Sequence, residues 1–348
     1  MYLANGLFLE RMLQSSKKVD AMGSVLYIVI PCYNEEEVLP ETSKRILDKL
    51  QRMIHGGICS EESRILFVDD GSRDQTWTMI EELTKQDQHF GGVKLAHNRG
   101  HQNALLAGLM TAKEHCDTAI SMDADLQDDI EVLDEFMQRY HEGCHVVYGV
   151  RKERKTDTFF KRNSALAFYK VMNALGTNVL NNHADYRLMS KEALEGLAQY
   201  REVNLFLRGI VPEIGYKTAV VYYDRGERFA GESKYPLKKM ISFAIEGISS
   251  FSVKPLKMIS ALGIFISLCS SFGLLYALIS KICGVAVPGW TAIVCSIWLL
   301  GGVQLLCLGV LGGYVGKIYQ EVKARPRYII EKKIIQQGNE QKKEGNKI

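Results

Sequence analysis

Carboxylates recur at the ends of short apolar runs in this sequence. Asp69 and Asp70 follow one such run, and Asp123 and Asp125 follow another. Two carboxylates in an Asp-x-Asp spacing can point at one divalent cation, and Gln127 offers a neutral oxygen two residues later. Mg²⁺ and Mn²⁺ prefer oxygen ligands of this kind, and Mg²⁺ usually keeps positions for substrate phosphates. The spacing therefore predicts a divalent metal site at Asp123, Asp125 and Gln127.

Helix capping is the competing explanation for part of this acidic content. Asp129 directly precedes the helical pattern that begins at Ile130, where a carboxylate can accept hydrogen bonds from backbone N–H groups. We assign Asp74 and Asp129 to capping. Asp123 and Asp125 remain the candidate metal ligands.

The segments between the polar clusters alternate between strand and helix patterns. Predicted strands cover 25–30, 64–68, 93–96, 118–122 and 145–149, and predicted helices cover 41–53, 75–85, 103–115 and 130–141. Such alternation is typical of βαβ units and a mainly parallel sheet. Ligands of these sheets bind beyond the carboxyl ends of the strands, where the strand order reverses. Because every polar cluster follows a predicted strand, we expect one shared cleft.

Several function classes are excluded by composition and missing motifs. The 43 basic and 40 acidic residues do not describe a nucleic-acid binder. There is no Gly-x-Gly-x-x-Gly after the first strand, no Walker loop and no Gly-x-Ser-x-Gly elbow. The eight cysteines form no Cys-x-x-Cys pair, which favours buried free thiols over disulfides or zinc.

A long uncharged stretch lies in the C-terminal part of the chain. No Asp, Glu, Lys or Arg occurs between Met258 and Ser280, or between Ile282 and Gly316. Because about 20 apolar residues span a bilayer, we predict two transmembrane helices, about 259–280 and 291–315. Two buried helices of a soluble core are the alternative. Basic residues flank both outer ends, which predicts that both termini and the catalytic part are cytoplasmic.

The remaining segments complete the predicted organisation. Residues 1–24 form an N-terminal extension, and we expect no signal peptide because Glu10 and Arg11 interrupt its apolar part. In 236–257, apolar residues at helical spacing predict an amphipathic helix at the membrane surface, with packing against the catalytic domain as the alternative. Residues 317–348 form a basic cytoplasmic tail, which we expect to be solvated or disordered after Glu331.

Three motifs resemble the inverting GT-A glycosyltransferases of family two. They are Pro31-x-Tyr-Asn-Glu, Val68-Asp-Asp-Gly-Ser-x-Asp-x-Thr and Asp123-Ala-Asp-Leu-Gln-Asp. Asn98-Arg-Gly, Ala184-Asp-Tyr-Arg-Leu-Met and the segment 228–236, together with the predicted hairpin, resemble polyprenyl-phosphate glycosyltransferases such as bactoprenol glucosyltransferases and dolichol-phosphate-mannose synthases. The resemblance implies a Rossmann-like α/β GT-A domain over 25–235, a nucleotide-sugar donor, Mg²⁺ or Mn²⁺, and a lipid phosphate acceptor in the membrane.

The resemblance also implies roles for individual residues. The nucleotide sugar would lie on Pro31, Tyr33, Glu35, Asp69, Asp70 and Asp123, and its phosphates or that of the acceptor would meet Arg151, Arg228 and Lys234. Asp125 would act in catalysis through the metal. Asp185 matches an acidic residue near the acceptor, and it is either a base or an orienting group. The alternative for Asp185 is a structural pairing with Arg187 or a backbone amide. The alternative for Arg151 is a position in a solvated basic loop.

The expected reaction is inverting transfer of a sugar, glucose from UDP-glucose, to undecaprenyl phosphate in the cytoplasmic membrane. Other donors use the same architecture and remain alternatives: GDP-mannose, UDP-N-acetylglucosamine, UDP-galactose and UDP-aminoarabinose derivatives. A non-catalytic membrane scaffold is the alternative from another class. The sequence leaves self-association into a homo-oligomer open.

Overall fold

A computed structural model describes residues 23–152, 183–203, 206–224, 254–283 and 289–336. The chain divides into two compact units. The first comprises Met1–Thr158, Leu180–Lys234 and Pro326–Ile348, and the second comprises Phe159–Val179 and Tyr235–Arg325. The predicted extension 1–24 and the amphipathic segment 236–257 lie almost entirely outside the described residues.

The first unit is an α/β domain. Its strands are β1 (Leu26–Cys32), β2 (Arg64–Asp69), β3 (Phe90–Leu95), β4 (Thr118–Ser121), β5 (Val146–Arg151), β6 (His183–Ser190), β7 (Thr218–Tyr223) and β8 (Ile330–Ile334). Its helices are α1 (Leu39–His55), α2 (Thr76–Gln86), α3 (His101–Ala112), α4 (Leu133–His141), α5 (Lys191–Ala198) and α6 (Leu207–Glu213). A 3₁₀ turn, Ile130–Val132, precedes α4, so the predicted helix at Ile130 begins with tighter geometry.

The described strands form one sheet in the order β7-β5-β6-β4-β1-β2-β3-β8. β1 pairs in parallel with both β2 and β4, whereas β6 runs antiparallel to β4 and β5, and β8 runs antiparallel to β3. The predicted α/β architecture is confirmed, and the sheet is mixed. The strand order reverses between β1 and β4, and ligands of such sheets bind at the carboxyl ends of those two strands.

Helix α3 packs closely on the centre of this sheet. Gly108 faces β1 and β2, where an added side chain would collide with Val29 and Val68. All seven residues of β1 are buried, as expected for a parallel strand covered on both faces. The close approach brings the first turn of α3, which begins at His101, to the edge of the sheet where β1 and β4 end.

The predicted solvated or disordered tail after Glu331 begins inside strand β8, whose residues are mostly exposed but paired. This strand pairs with β3, and the preceding Ile329 carbonyl accepts a hydrogen bond from Ala96 N at 2.9 Å. Charged side chains suggested solvent, but an edge strand tolerates them because one side stays exposed. Lys332 and Lys333 form ion pairs with Glu81 and Glu114 at 3.3 Å and 3.1 Å.

The second unit contains two long helices, α7 (Lys254–Ile282) and α8 (Trp290–Lys323). Within the described residues, one segment, Leu299–Lys323, is long and apolar enough to cross a membrane by length and composition, with a mean hydropathy of 1.7. The two-span hairpin therefore stays a prediction. Large apolar side chains on both helices are exposed, including Phe265, Phe272 and Leu305.

The cysteine prediction holds in the first unit. Cys32, Cys59, Cys116 and Cys144 are buried and free. Cys269 and Cys283 of the second unit are free and exposed.

Candidate active site

The loops that follow β1 and β2 are fastened to each other. The two strands pair up to Cys32 opposite Asp69, so their loops leave the sheet side by side. Asn34 N donates to Ser72 Oγ at 3.0 Å, and Asn34 Oδ1 accepts from Arg73 N at 2.9 Å. These bonds hold Asn34 at φ +54°, a left-handed conformation that asparagine tolerates better than most residues. The pair of loops forms one ordered rim of the cleft.

The residues predicted to bind the nucleoside differ in accessibility. Tyr33 is 42% exposed, whereas Pro31 lies inside β1 and is buried. Asp69 is buried, and burial raises its pKa although a hydrogen bond with Ser72 opposes this. Its Oδ1 accepts from Ser72 N at 3.2 Å, but Oδ2 has no hydrogen-bond partner among the described residues. Because an unsatisfied buried acceptor is costly, Asp69 is suited to receive a donor from a ligand.

Asp70 fixes the loop that leads into α3. Its two carboxylate oxygens accept from Arg99 N at 2.7 Å and Gly100 N at 2.8 Å. Gly100 has φ +85°, in the region that favours glycine, and the next residue is His101. The predicted contact of Asp70 with the nucleotide stays a prediction, while its bonds show that it holds the start of α3 in place.

Three side chains from separate elements meet where β4 ends. His101 Nε2 lies 3.7 Å from Asp123 Oδ1 and 3.6 Å from Asp185 Oδ2. The antiparallel register of β4 and β6, with Ser121 opposite Arg187, brings Asp185 beside Asp123 just beyond the end of β4. The sequence analysis counted His101 among the polar residues after the third strand but gave it no role in the site. Its signal was its position directly after the Asn98-Arg-Gly motif, at a predicted strand end.

Burial and neighbouring charges together shift the pKa values of this cluster. Burial raises the pKa of Asp123 to about 6; the His101 ring opposes the shift, and the carboxylates of Asp128, Asp185 and Asp125 add to it. Burial of the His101 ring works against its protonation, yet Asp185 and Asp123 raise its pKa overall. Around Asp123, three carboxylates therefore face one basic group, the His101 ring.

This acidic excess fits a divalent cation on Asp123 and Asp125. Asp125 Oδ1 accepts from Gln127 N at 3.2 Å, and Leu126 between them has φ +55°. The described residues contain no group of three or more His, Cys, Asp or Glu side chains arranged to hold a metal ion. Mg²⁺ sites that use one or two carboxylates and substrate phosphates do not need such a group.

Asp185 is paired with two arginines. Arg187 Nη2 lies 3.2 Å from Oδ1, and Arg208 reaches Oδ1 with Nε at 3.2 Å and Oδ2 with Nη2 at 3.0 Å. Burial alone would raise the pKa of Asp185, but the His101 ring and the two guanidinium groups hold it well below its ordinary value. The pairing with Arg187, open in the sequence analysis, is present, and Arg208 is an additional partner that the sequence analysis missed.

Arg151 belongs to a second cluster, at the end of β5. Its Nη2 lies 3.2 Å from Asp128 Oδ1, and its Nε donates to Tyr223 Oη at 3.1 Å. Tyr223 Oη also donates to Asp128, and Asp128 Oδ2 has no hydrogen-bond partner among the described residues. Arg151 is therefore not a solvated loop residue in this structure. Its predicted contact with a phosphate stays a prediction.

The structure thus brings Asp123 and Asp185 together through His101 and places Asp69 and Tyr33 on the neighbouring rim. Arg228 and Lys234, predicted to meet phosphates, lie outside the described residues.

Comparisons with known sequences identify relatives over most of this chain. Residues 27–197 match the profile described as "Glycosyl transferase family 2". The "Uncharacterized glycosyltransferase YkoT" of Bacillus subtilis is 54% identical over 88% of this chain and 91% of its own length. The "SfII prophage-derived bactoprenol glucosyl transferase" of Shigella flexneri is 39% identical over 88% of this chain and 97% of its own.

One similar solved structure is the glucosyl-3-phosphoglycerate synthase of Mycobacterium tuberculosis in complex with Mn²⁺, UDP-glucose and phosphoglyceric acid. It shares 17% identity, with 65% of this chain and 78% of that chain covered and a TM-score of 0.40. The family itself rests on the curated relatives, at 54% and 39% identity over most of both chains. This chain is a glycosyltransferase and belongs to glycosyl transferase family 2.

Proposed function

We propose that this protein transfers glucose from UDP-glucose to a polyprenyl phosphate, with inversion at the anomeric carbon, at the cytoplasmic face of a membrane. One observation carries the proposal: at the end of β4, His101 Nε2 lies within 3.7 Å of Asp123 and 3.6 Å of Asp185, between a rim suited to a nucleotide and a pair of arginines. The bactoprenol glucosyl transferases of Shigella and its phages, 38–39% identical, support the choice of sugar and acceptor.

The donor would bind along the loops after β1 and β2. Asp69 Oδ2, buried and without a partner among the described residues, would accept an N–H of the base. Tyr33, at 42% exposure, offers its ring to the base or ribose. The hydrogen bonds between the two loops keep this rim ordered before the donor arrives, which lowers the entropic cost of binding.

Asp123 and Asp125, with the Gln127 amide oxygen, would hold Mg²⁺ or Mn²⁺. When bound, the ion would neutralise the donor diphosphate and help it to leave. Asp123 is the stronger candidate ligand because its carboxylate is crowded by Asp125, Asp128 and Asp185. His101, between Asp123 and Asp185, would hold both carboxylates in place.

The acceptor needs little help from a base. A phosphate monoester is largely ionised at neutral pH, so no strong base has to remove a proton before attack. The chain's contribution is then to bind the acceptor oxygen in line with the departing diphosphate and to exclude water. Arg151, Arg228 and Lys234 are proposed to compensate phosphate charge.

The proposal places the acceptor in a membrane. Leu299–Lys323 has the length and hydropathy of a span, and Phe265, Phe272 and Leu305 of the second unit are each more than half exposed. Large exposed apolar surfaces are rare in soluble monomers. We propose that α7 and α8 are the two spans of the hairpin.

A donor panel tests the proposal. The full chain, purified in detergent, is mixed with undecaprenyl phosphate and each of five radiolabelled donors: UDP-glucose, GDP-mannose, UDP-N-acetylglucosamine, UDP-galactose and UDP-aminoarabinose. We expect lipid-linked sugar from UDP-glucose. Asp125→Ala should abolish it, whereas Asp48→Ala, on the exposed face of α1, should not. If the folded parent transfers sugar from another donor, the identity of the sugar in the proposal is corrected. If it transfers sugar from none of the five donors, the proposal is overturned.

A further inference from the structure

The two arginines that share the carboxylate of Asp185 differ in accessibility. Arg187 has 2% of its side chain exposed, donates to Leu207 O at 3.4 Å, and lies 6.0 Å from the centre of the Tyr148 ring. Arg208 contacts both oxygens of Asp185, yet 34% of its side chain is exposed. Arg187 therefore belongs to the interior of the domain, and Arg208 is the member of the pair that a ligand can reach.

The position of Arg208 is fixed from several directions. The fork of its guanidinium is held by the two oxygens of Asp185, at 3.2 Å and 3.0 Å. The preceding residue, Leu207, donates its backbone N–H to Gln102 Oε1 at 3.0 Å. Gln102 follows His101 in the first turn of α3, so the same turn contacts both Asp185 and the segment that carries Arg208. Arg208 is ordered before any ligand binds.

The sheet order separates this arginine from the nucleotide rim. The rim follows β1 and β2, Asp123 follows β4, and Asp185 lies at the start of β6, on the side of β4 away from β1. In an inverting displacement, the nucleophile attacks from the face of the sugar opposite the leaving diphosphate. In the proposed function, the diphosphate lies between Asp123 and the rim. The acceptor then approaches from the β6 side, where Asp185 and Arg208 lie.

We propose that Arg208 binds the phosphate of the acceptor and that Asp185 is the positioning residue that holds Arg208 there. This inference rests on the proposed function, because it requires a phosphate acceptor. A guanidinium matches the geometry of a phosphate and binds it through charge-assisted hydrogen bonds. Asp185 does not act as the base: its carboxylate accepts hydrogen bonds from two arginines, and the acceptor brings its own negative oxygen.

Substitution of Arg208 tests the first half of the proposal. With the full chain in detergent, Arg208→Ala should raise the KM for undecaprenyl phosphate about ten- to hundredfold, as expected when a charge-assisted hydrogen bond is lost. The affinity for UDP-glucose with Mg²⁺ should change less than about twofold, since the rim is untouched. Arg208→Lys should recover part of the loss, because it restores charge without the planar fork.

Substitution of Asp185 separates positioning from base catalysis. Asp185→Asn keeps the size of the side chain and one acceptor oxygen for the arginines. If Asp185 is a positioning residue, the Asp185→Asn variant should have a higher acceptor KM and a kcat lower by less than about tenfold. If Asp185 were instead a general base, the Asp185→Asn variant should have a kcat lower by about a hundredfold or more and an unchanged acceptor KM. That second pattern would overturn the assignment of Asp185.

Controls keep the outcomes distinct. Arg139→Ala removes a partly exposed arginine of α4 that is paired with Glu135 and Glu142, and it should leave both KM values unchanged. Asp185 keeps Arg187 and His101 in Arg208→Ala, so we expect a folded protein, checked by thermal melting. An unchanged acceptor KM in folded Arg208→Ala and Arg208→Lys overturns the inference alone. A parent that uses no polyprenyl phosphate overturns the proposed function and this inference with it.

Discussion

Replacing Asp123 by asparagine should make the protein more stable while it destroys activity. Burial, with the charges of Asp125, Asp128 and Asp185, raises the pKa of Asp123 to about 6, so the folded protein resists ionisation of this group. The difference from the ordinary value of 3.8 corresponds to roughly 3 kcal/mol at neutral pH. Because the Asp123 side chain is 37% exposed, solvent screening reduces this to about 1 kcal/mol.

The sign of the pH dependence follows from the raised pKa. The protonated carboxyl of Asp123 is tolerated in the fold, so its contribution to the free energy of unfolding is fully present below pH 4. That contribution is lost as the pH rises through about 6. The asparagine variant does not titrate at this position. Its melting temperature should therefore exceed that of the parent by about 2–4 °C above pH 7, with little difference near pH 4.

Thermal melting of the full chain in detergent with EDTA, from pH 4 to 8, measures this difference. Asp48→Asn, on the exposed face of α1, is the matched control and should follow the parent at every pH. The reasoning is refuted if Asp123→Asn melts at or below the parent temperature at pH 7.5. Added Mg²⁺ with UDP-glucose should stabilise the parent but not Asp123→Asn, because the cation relieves the same acidic crowding.

Three further predictions concern the loops, the metal and the last strand. Asp70→Ala leaves the N–H groups of Arg99 and Gly100 without their acceptor, so we expect the free energy of unfolding to fall by about 2–4 kcal/mol. Asp70→Asn should lower it by about half as much. Denaturant titration measures both variants, and a change below about 0.5 kcal/mol would contradict this role of Asp70. EDTA should abolish transfer, with Mg²⁺ or Mn²⁺ restoring it and Ca²⁺ doing so poorly; full activity in EDTA would remove Asp125 from metal binding. Replacing 330–334 by a Gly-Ser segment of equal length should lower the melting temperature, because β3 loses its edge partner. The transfer rate should fall as well, since β3 leads into the loop before His101. Unchanged values would show that β8 is dispensable.

Local signals in the sequence were sufficient to group the polar residues that follow β1, β2 and β4. The runs that became β1, β2 and β4 are short, apolar and followed at once by polar residues, and a parallel sheet brings those ends together. Asp69 and Asp123 could therefore be assigned to one cleft without any knowledge of pairing between distant segments.

The other side of the site depends on contacts that no local pattern predicts. β6 inserts antiparallel between β4 and β5, and this pairing alone brings Asp185 to Asp123. Arg208 lies 23 residues from Asp185 and 105 residues separate Leu207 from Gln102, so their bonds exist only in the folded domain. β8 was missed because its lysines and glutamate are typical of a solvent-exposed segment. Only the folded sheet shows that this segment pairs with the edge of β3.

The charges of the site are sorted across the sheet. Near β1 and β4, burial raises the pKa values of Asp69 and Asp123, and this side needs a cation and a ligand with donors. Near β6, the carboxylate of Asp185 is outnumbered by guanidinium groups, and this side suits an anion. His101 touches both sides. A reaction between a metal-bound diphosphate donor and a phosphate acceptor requires such a division, because two anions must approach one carbon from opposite directions. A hydroxyl acceptor would not require the arginines, so the sorting of charge argues for a phosphate.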